Sequence, residues 1–133
     1  MGNRVYKASS AVGNRKYIVD ISGDLPTILM ELDPQDNMAI KKTYIYADSQ
    51  ILAQHNGSYS APRYFYLHDR LGSVRLVINS AGDVNNTYTY NSFGEMFPTE
   101  CNETVSNPFK FSGQFFDDEI GQYYLRARQY DPY

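Results

Sequence analysis

Apolar and polar residues alternate along this chain in short runs, each broken by a cluster of turn-forming residues. Val74, Leu76 and Ile78 share one face of an extended segment, and Tyr88 and Tyr90 share one face of the next. Between them lie Asn79, Ser80, Ala81, Gly82 and Asp83. A hairpin loop needs residues that tolerate positive φ, and Gly82 beside Asn79 and Asp83 supplies them. Upstream, Ile28, Met30 and Leu32 line one side of residues 27–32, and Asp33-Pro34-Gln35-Asp36-Asn37 makes a strong turn. Residues 4–7 read as a short strand and residues 9–14 as a loop; residues 51–54 read as a return strand closed by Asn56-Gly57-Ser58. No window sustains helical periodicity, and the apolar stretches are short, aromatic or β-branched. The pattern predicts an all-β, antiparallel protein of roughly nine strands.

A second regularity lies over the first. The spacing Tyr-x-x-Asp-x-x-Gly occurs at Tyr66, Asp69 and Gly72, and again, with Asn for Asp, at Tyr88, Asn91 and Gly94. An earlier copy is Tyr17, Asp20 and Gly23; at Tyr44 the copy is degenerate, with Ala47 and Gln50 in place of Asp and Gly. A further copy reads Phe115, Asp118 and Gly121, so the steps are 27, 22, 22 and 27 residues. Such periods mean stacked hairpin units, none able to bury its own face alone. Asp69, Asn91 and Asp118 are placed to accept turn N–H groups, while the Gly three residues on takes a conformation that a Cβ forbids. Residues 1–15 form a leading strand and loop, and residues 16–133 one repeat domain.

Composition narrows the function classes. At 133 residues and 42% hydrophobic, one ordered domain with a modest core is the natural reading. Thirteen Tyr and seven Phe with no Trp suit sheet faces that must pack and still reach a polar partner. A net charge of −3 argues against a general affinity for nucleic acid or anionic membranes. Cys101 is the single cysteine, so no internal disulfide forms. No apolar run is long enough to span a bilayer, and the start lacks the apolar core of a signal peptide. Residues 98–107 form the one long polar loop. Asn56, Asn85 and Asn102 each begin an Asn-x-Ser/Thr triplet and are read as turn residues.

Candidate chemistry is sparse. His68 beside Asp69 looks like a base and its orienter, yet adjacent strand residues point to opposite faces. Gly72-Ser73-Val74 lacks a nucleophile elbow. Two histidines and one cysteine do not compose a transition-metal site, and the spacing of a calcium loop is missing. No catalytic, cofactor or metal residue is assigned. Arg126 and Arg128 share a face of the predicted last strand with Tyr124 and Tyr130, where they stack on tyrosine or pair with Asp117 or Glu119.

Residues 66–75, Tyr-Leu-His-Asp-Arg-Leu-Gly-Ser-Val-Arg, resemble a core segment of the RHS, or YD-repeat, family. Asn91-Ser92-Phe93-Gly94, residues 107–114 and residues 121–132 continue the resemblance in order; the first sixty residues carry it weakly. The resemblance implies a curved shell of YD hairpins that encloses a passenger polypeptide, in a secreted or cell-surface, toxin-related, bacterial-type setting. Larger members end their core with Arg-x-Tyr-Asp-Pro, followed by two aspartates that cut the chain with an arginine assisting. Arg128, Asp131 and Pro132 match the opening of that motif, and the sequence stops at Tyr133 before either aspartate. Arg128 corresponds to the assisting arginine by position alone. The expectation is a non-enzymatic structural segment. The alternatives are a carbohydrate or surface-ligand module, in which exposed Tyr would stack on sugar rings, and a remnant of the autoprotease. Residues 59–66 and 123–130 are candidate open edges, through which the chain associates with itself or with other RHS segments.

Overall fold

The computed structural model describes residues 3–10, 13–58, 60–126 and 128–133. Part of the predicted 9–14 loop and Tyr59 of the 59–66 edge lie outside the described residues. Two compact units divide at Arg63/Tyr64, where the sequence reading placed no boundary. All assigned strand pairs are antiparallel, and the described residues contain no α-helix.

The first unit is a meander of β1 (Tyr6–Lys7), β2 (Arg15–Asp20), β3 (Thr27–Asp33), β4 (Ala39–Ala47) and β5 (Gln50–His55). Lys7 pairs with Arg15, so the leading segment joins the sheet that follows it. Bulges lie at Ile18/Val19, Glu31/Leu32 and Ile45/Tyr46. One face carries a buried polar row: Tyr17 opposes Glu31, and Tyr44 opposes Gln54. The Tyr44 hydroxyl donates to Glu31, which answers the desolvation of that carboxylate. His55 is fully enclosed. Arg63 Nε donates to its Nε2 at 3.2 Å, so Nδ1 carries the proton and donates to the Ala61 carbonyl at 3.1 Å.

The second unit opens with a meander of β6 (Arg63–His68), β7 (Val74–Asn79), β8 (Val84–Thr87) and β9 (Asn102–Glu103). A three-stranded sheet follows, built from β10 (Phe115–Asp117), β11 (Gln122–Tyr124) and β12 (Gln129–Tyr130). Registry puts Tyr66, Val77, Asn86 and Glu103 on one face of the meander. Tyr66, Val77 and Asn86 are buried there, and Phe109 meets the Tyr66 ring edge-on at 6.4 Å. The opposite face, with Phe65, Leu67, Leu76, Ile78 and Val84, is half-buried or exposed.

Two readings are corrected. Residues 123–130 are a hairpin and not one strand: Tyr123 opposes Tyr130, and Arg126 sits at φ +63° in the reversal. Arg126 and Arg128 therefore lie on the turn, and Ala127 between them is outside the described residues. The polar segment 98–107 is no free loop either. It holds a single 3₁₀ turn (Pro98–Glu100), strand β9 and two buried side chains, Val105 and Asn107. Strands β1, β9 and β12 are each two residues long, which blunts them as templates for foreign strands. Far-ultraviolet circular dichroism of the chain should give a β-type spectrum; a helical signal above about a quarter of residues would contradict the fold.

Candidate functional site

The motif residues converge on the turns of the second unit. Asp69 ends the first crossing of that unit's meander. One of its carboxylate oxygens accepts the N–H groups of Leu71 at 2.9 Å and Ser73 at 3.0 Å. Its carbonyl accepts Gly72 N–H at 3.0 Å, and its own N–H returns to the Ser73 carbonyl at 3.0 Å. Asn91 repeats the arrangement with Phe93 at 2.8 Å and Glu95 at 3.1 Å, closed by Gly94 at 3.2 Å. Gly72 and Gly94 hold φ of +80° and +93°. Both side chains are thus consumed by their own turns.

A third copy was missed. Asn79 accepts Ala81 N–H at 2.9 Å and Asp83 N–H at 3.0 Å, and Gly82 stands at φ +90°. The signal was available: Asn79-x-x-Gly82 has the same spacing, with Leu76 where the other copies have Tyr or Phe. Elsewhere the copies diverge. Asp20 accepts Ser22 N–H at 2.8 Å, but Gly23 lacks positive φ. The Tyr44 copy reverses through Asp48 and Ser49, at φ +48° and +65°. In the Phe115 copy the turn acceptor is the Asp117 carbonyl, which takes Gly121 N–H at 2.9 Å. The carbonyl that accepts the glycine N–H thus falls one residue early there, and the Asp118 carboxylate instead lies 3.5 Å from Lys110 Nζ. The repeat aromatics Tyr17, Tyr44, Tyr66, Tyr88 and Phe115 are all buried. Their rings are not available for stacking on a sugar.

The C-terminal segments fasten onto these turns. Ser112 N–H donates to Ser73 Oγ at 2.8 Å, and Val74 N–H to the Lys110 carbonyl at 3.1 Å. Three tyrosine hydroxyls each donate to a turn or strand carbonyl: Tyr90 to Val74 at 2.8 Å, Tyr123 to Gly94 at 2.9 Å, and Tyr130 to Phe93 at 2.8 Å. Phe111 fills the space beside Gly94, where an added Cβ would come within 2.7 Å of its ring.

One ionic cluster lies beneath. Lys110, only 4% exposed, donates to Glu103 at 2.9 Å and sits 5.3 and 5.4 Å from the ring centres of Tyr88 and Phe116. Glu103 also accepts the Tyr88 hydroxyl at 2.7 Å, while the amides of Asn86 and Asn107 donate to the same hydroxyl at 2.8 and 3.2 Å. Each remaining amide atom of Asn86 and Asn107 binds backbone of residues 104–109. The cluster ties down a loop and pairs its amine with the carboxylates of Glu103 and Asp118.

Burial raises the pKa of Tyr88 well above that of a free phenol, and the Glu103 carboxylate adds to it. Burial does the same for Tyr90 and Tyr123. His68 is shifted down, since burial outweighs the pull of Asp69, and its buried Nε2 has no hydrogen-bond partner. Arg128 is exposed, and its carbonyl accepts Leu125 N–H at 2.9 Å.

These turns and their spacing are those of a known architecture: the teneurin YD-shell family model matches residues 28–133. The chain belongs to the RHS/YD-repeat family. The tRNA3(Ser)-specific nuclease WapA of Bacillus spizizenii is 33% identical over 98% of this YD-repeat chain, and the double-stranded DNA deaminase toxin A of Burkholderia cenocepacia is 34% identical over 54%. The chain spans about 5% of the length of each of these curated relatives. The crystal structure of TcdB2-TccC3 covers 96% of this chain at TM-score 0.59 and 15% identity, which makes it a neighbour in fold; the match takes up 6% of that chain.

Two predictions follow from the geometry. Gly72→Ala should destabilise by about 1 kcal/mol, the cost of its positive φ. Gly94→Ala should cost about 1–3 kcal/mol more, because it also displaces Phe111. Equal denaturation midpoints for the two variants would contradict the docking. The raised phenol pKa values stabilise the fold below pH ~10, where both states are protonated; above it only the unfolded state ionises freely. Stability should therefore fall by about 1.4 kcal/mol per pH unit for each such tyrosine. Ultraviolet titration should show Tyr88, Tyr90 and Tyr123 ionising only as the chain unfolds.

Proposed function

We propose that this chain is a non-catalytic wall segment of a larger YD-shell, one that encloses or presents a polypeptide in a secreted or cell-surface, toxin-related setting. One observation carries the reading: in the second unit the turn acceptors Asp69 and Asn91 and three tyrosine hydroxyls are spent on backbone. Asp69 and Asn91 close their own turns, and Tyr90, Tyr123 and Tyr130 hold carbonyls. Lys110, the one lysine of that unit, is paired with Glu103 and Asp118. Such groups hold a wall in shape and leave little for chemistry on a substrate. The nuclease and deaminase activities in the relatives' names belong, on this reading, to parts of those proteins beyond the matched 5%. Partners are other YD-repeat segments and the enclosed polypeptide.

The test is limited proteolysis of the complete natural polypeptide that contains these residues. Whatever follows residue 133 should be protected until the shell is unfolded. Digestion of that portion at the rate of a free polypeptide, or a reading frame that ends at residue 133, would overturn the proposal.

A further inference from the structure

Asn56 is the single asparagine of the chain that is followed by glycine. The pair lies in the bend after β5, in the first unit. Asn56 N–H donates to the Pro62 carbonyl at 3.3 Å, and the Gly57 carbonyl accepts the Thr43 hydroxyl at 3.0 Å. Gly57 stands at φ +135°, a conformation that a Cβ forbids. Its N–H has no hydrogen-bond partner among the described residues. Asn56 is exposed, whereas Gln54 is fully enclosed, and Gln54 Nε2 donates to Asn56 Oδ1 at 2.8 Å. A donor fixed on that oxygen polarises the carbonyl at Cγ. The turn asparagines of the second unit are held otherwise. Asn79 and Asn91 each accept two turn N–H groups at Oδ1 and donate from Nδ2 to a carboxylate, that of Asp83 at 3.0 Å and of Glu95 at 2.8 Å. Each is followed by Ser, whose Cβ obstructs attack by its own backbone nitrogen.

We propose that Asn56 is a self-modifying site, where the Gly57 backbone nitrogen attacks Asn56 Cγ and Gln54 steadies the charge that forms on Oδ1. Hydroxide takes the Gly57 N–H proton, and the nitrogen lone pair forms a bond to Cγ. The electron pair of the C=O moves onto Oδ1, against Gln54 Nε2. When the C=O re-forms, the Cγ–Nδ2 bond breaks and the nitrogen leaves as ammonia, with a proton from water. The cyclic imide that remains takes up water at either of its carbonyls and opens to aspartate or isoaspartate. The sum is water consumed and ammonia released, with nothing oxidised or reduced. Glycine serves the attack twice, by offering no Cβ in its path and by a nitrogen that no other group holds. The aspartate product keeps the backbone and turns the Gln54 bond into a charge-assisted one. The isoaspartate product adds a methylene to the backbone between the Asn56–Pro62 and Thr43–Gly57 bonds, and so loosens the end of β5.

The test is peptide mapping by mass spectrometry of the 133-residue chain, incubated at neutral pH both folded and unfolded in urea. The peptide carrying Asn56 should gain about 1 Da, with both aspartate and isoaspartate in the product. In the folded chain Asn79 and Asn91 should convert at least about tenfold more slowly, since their side chains are held away from such an attack. The Asn56 reaction should run at least about threefold faster folded than in urea, because only the fold sets Gln54 on Oδ1. Gln54→Met, similar in length and without a donor, should bring the folded rate down to the rate in urea. An unchanged rate in a folded Gln54→Met chain overturns the role of Gln54. Should that variant fail to fold, the wild-type comparison decides alone: a faster folded rate supports the proposal, and an equal or slower one overturns it. Aspartate without isoaspartate would mean direct hydrolysis and would overturn the attack by Gly57. Conversion of Asn79 or Asn91 as fast as Asn56 in the folded chain also overturns the assignment.

Discussion

An antiparallel meander leaves carbonyls unpaired wherever it turns, and the second unit depends on tyrosine hydroxyls to satisfy them. A phenol suits the task because its ring adds packing area while its single polar atom reaches backbone at the far end. Tyr123 and Tyr130 both reach the turn at residues 91–95, and their rings lie 6.3 Å apart. That turn is itself closed by Asn91 and relieved of a Cβ at Gly94, so the two devices interlock. The abundance of tyrosine is thus a property of the architecture rather than a sign of ligand stacking.

The same logic places the ionic cluster. Lys110 is buried because the segment carrying it must cover the tyrosine face, and its charge is matched where Glu103 comes up from β9. The cluster contributes definition more than net stability, since desolvating both charges offsets much of their attraction. Asn86 and Asn107 extend it by gripping the loop backbone through both ends of their amides.

Much of this was legible in sequence. Alternation located strands, and the Asp-x-x-Gly spacing located turns, because both are local signals with a fixed geometric meaning. The repeat missed at Asn79 was hidden only by requiring tyrosine three residues earlier. Three matters were not local. Arg126 takes a positive φ that no residue type at that position announces, so the last hairpin read as one strand. The Phe115 copy closes on the Asp117 carbonyl, one residue before the motif aspartate, which leaves the Asp118 carboxylate outside its turn. And alternation finds two faces without saying which is covered; that depends on residues 105–116, distant in the chain from the sheet they cap.

That distance has a consequence in time. The closing contacts join residues far apart in sequence: Ser73 to Ser112 across 39 residues, Phe93 to Tyr130 across 37, and Gly94 to Tyr123 across 29. The meander's own turns close over four residues. Loop-closure entropy orders these events, local turns first and distant clasps last. During synthesis the sheet emerges with both faces bare, and its polar face stays wet until residues 105–130 have followed it out of the ribosome. Tyrosine and asparagine on that face tolerate the wait, where leucine and valine would invite aggregation.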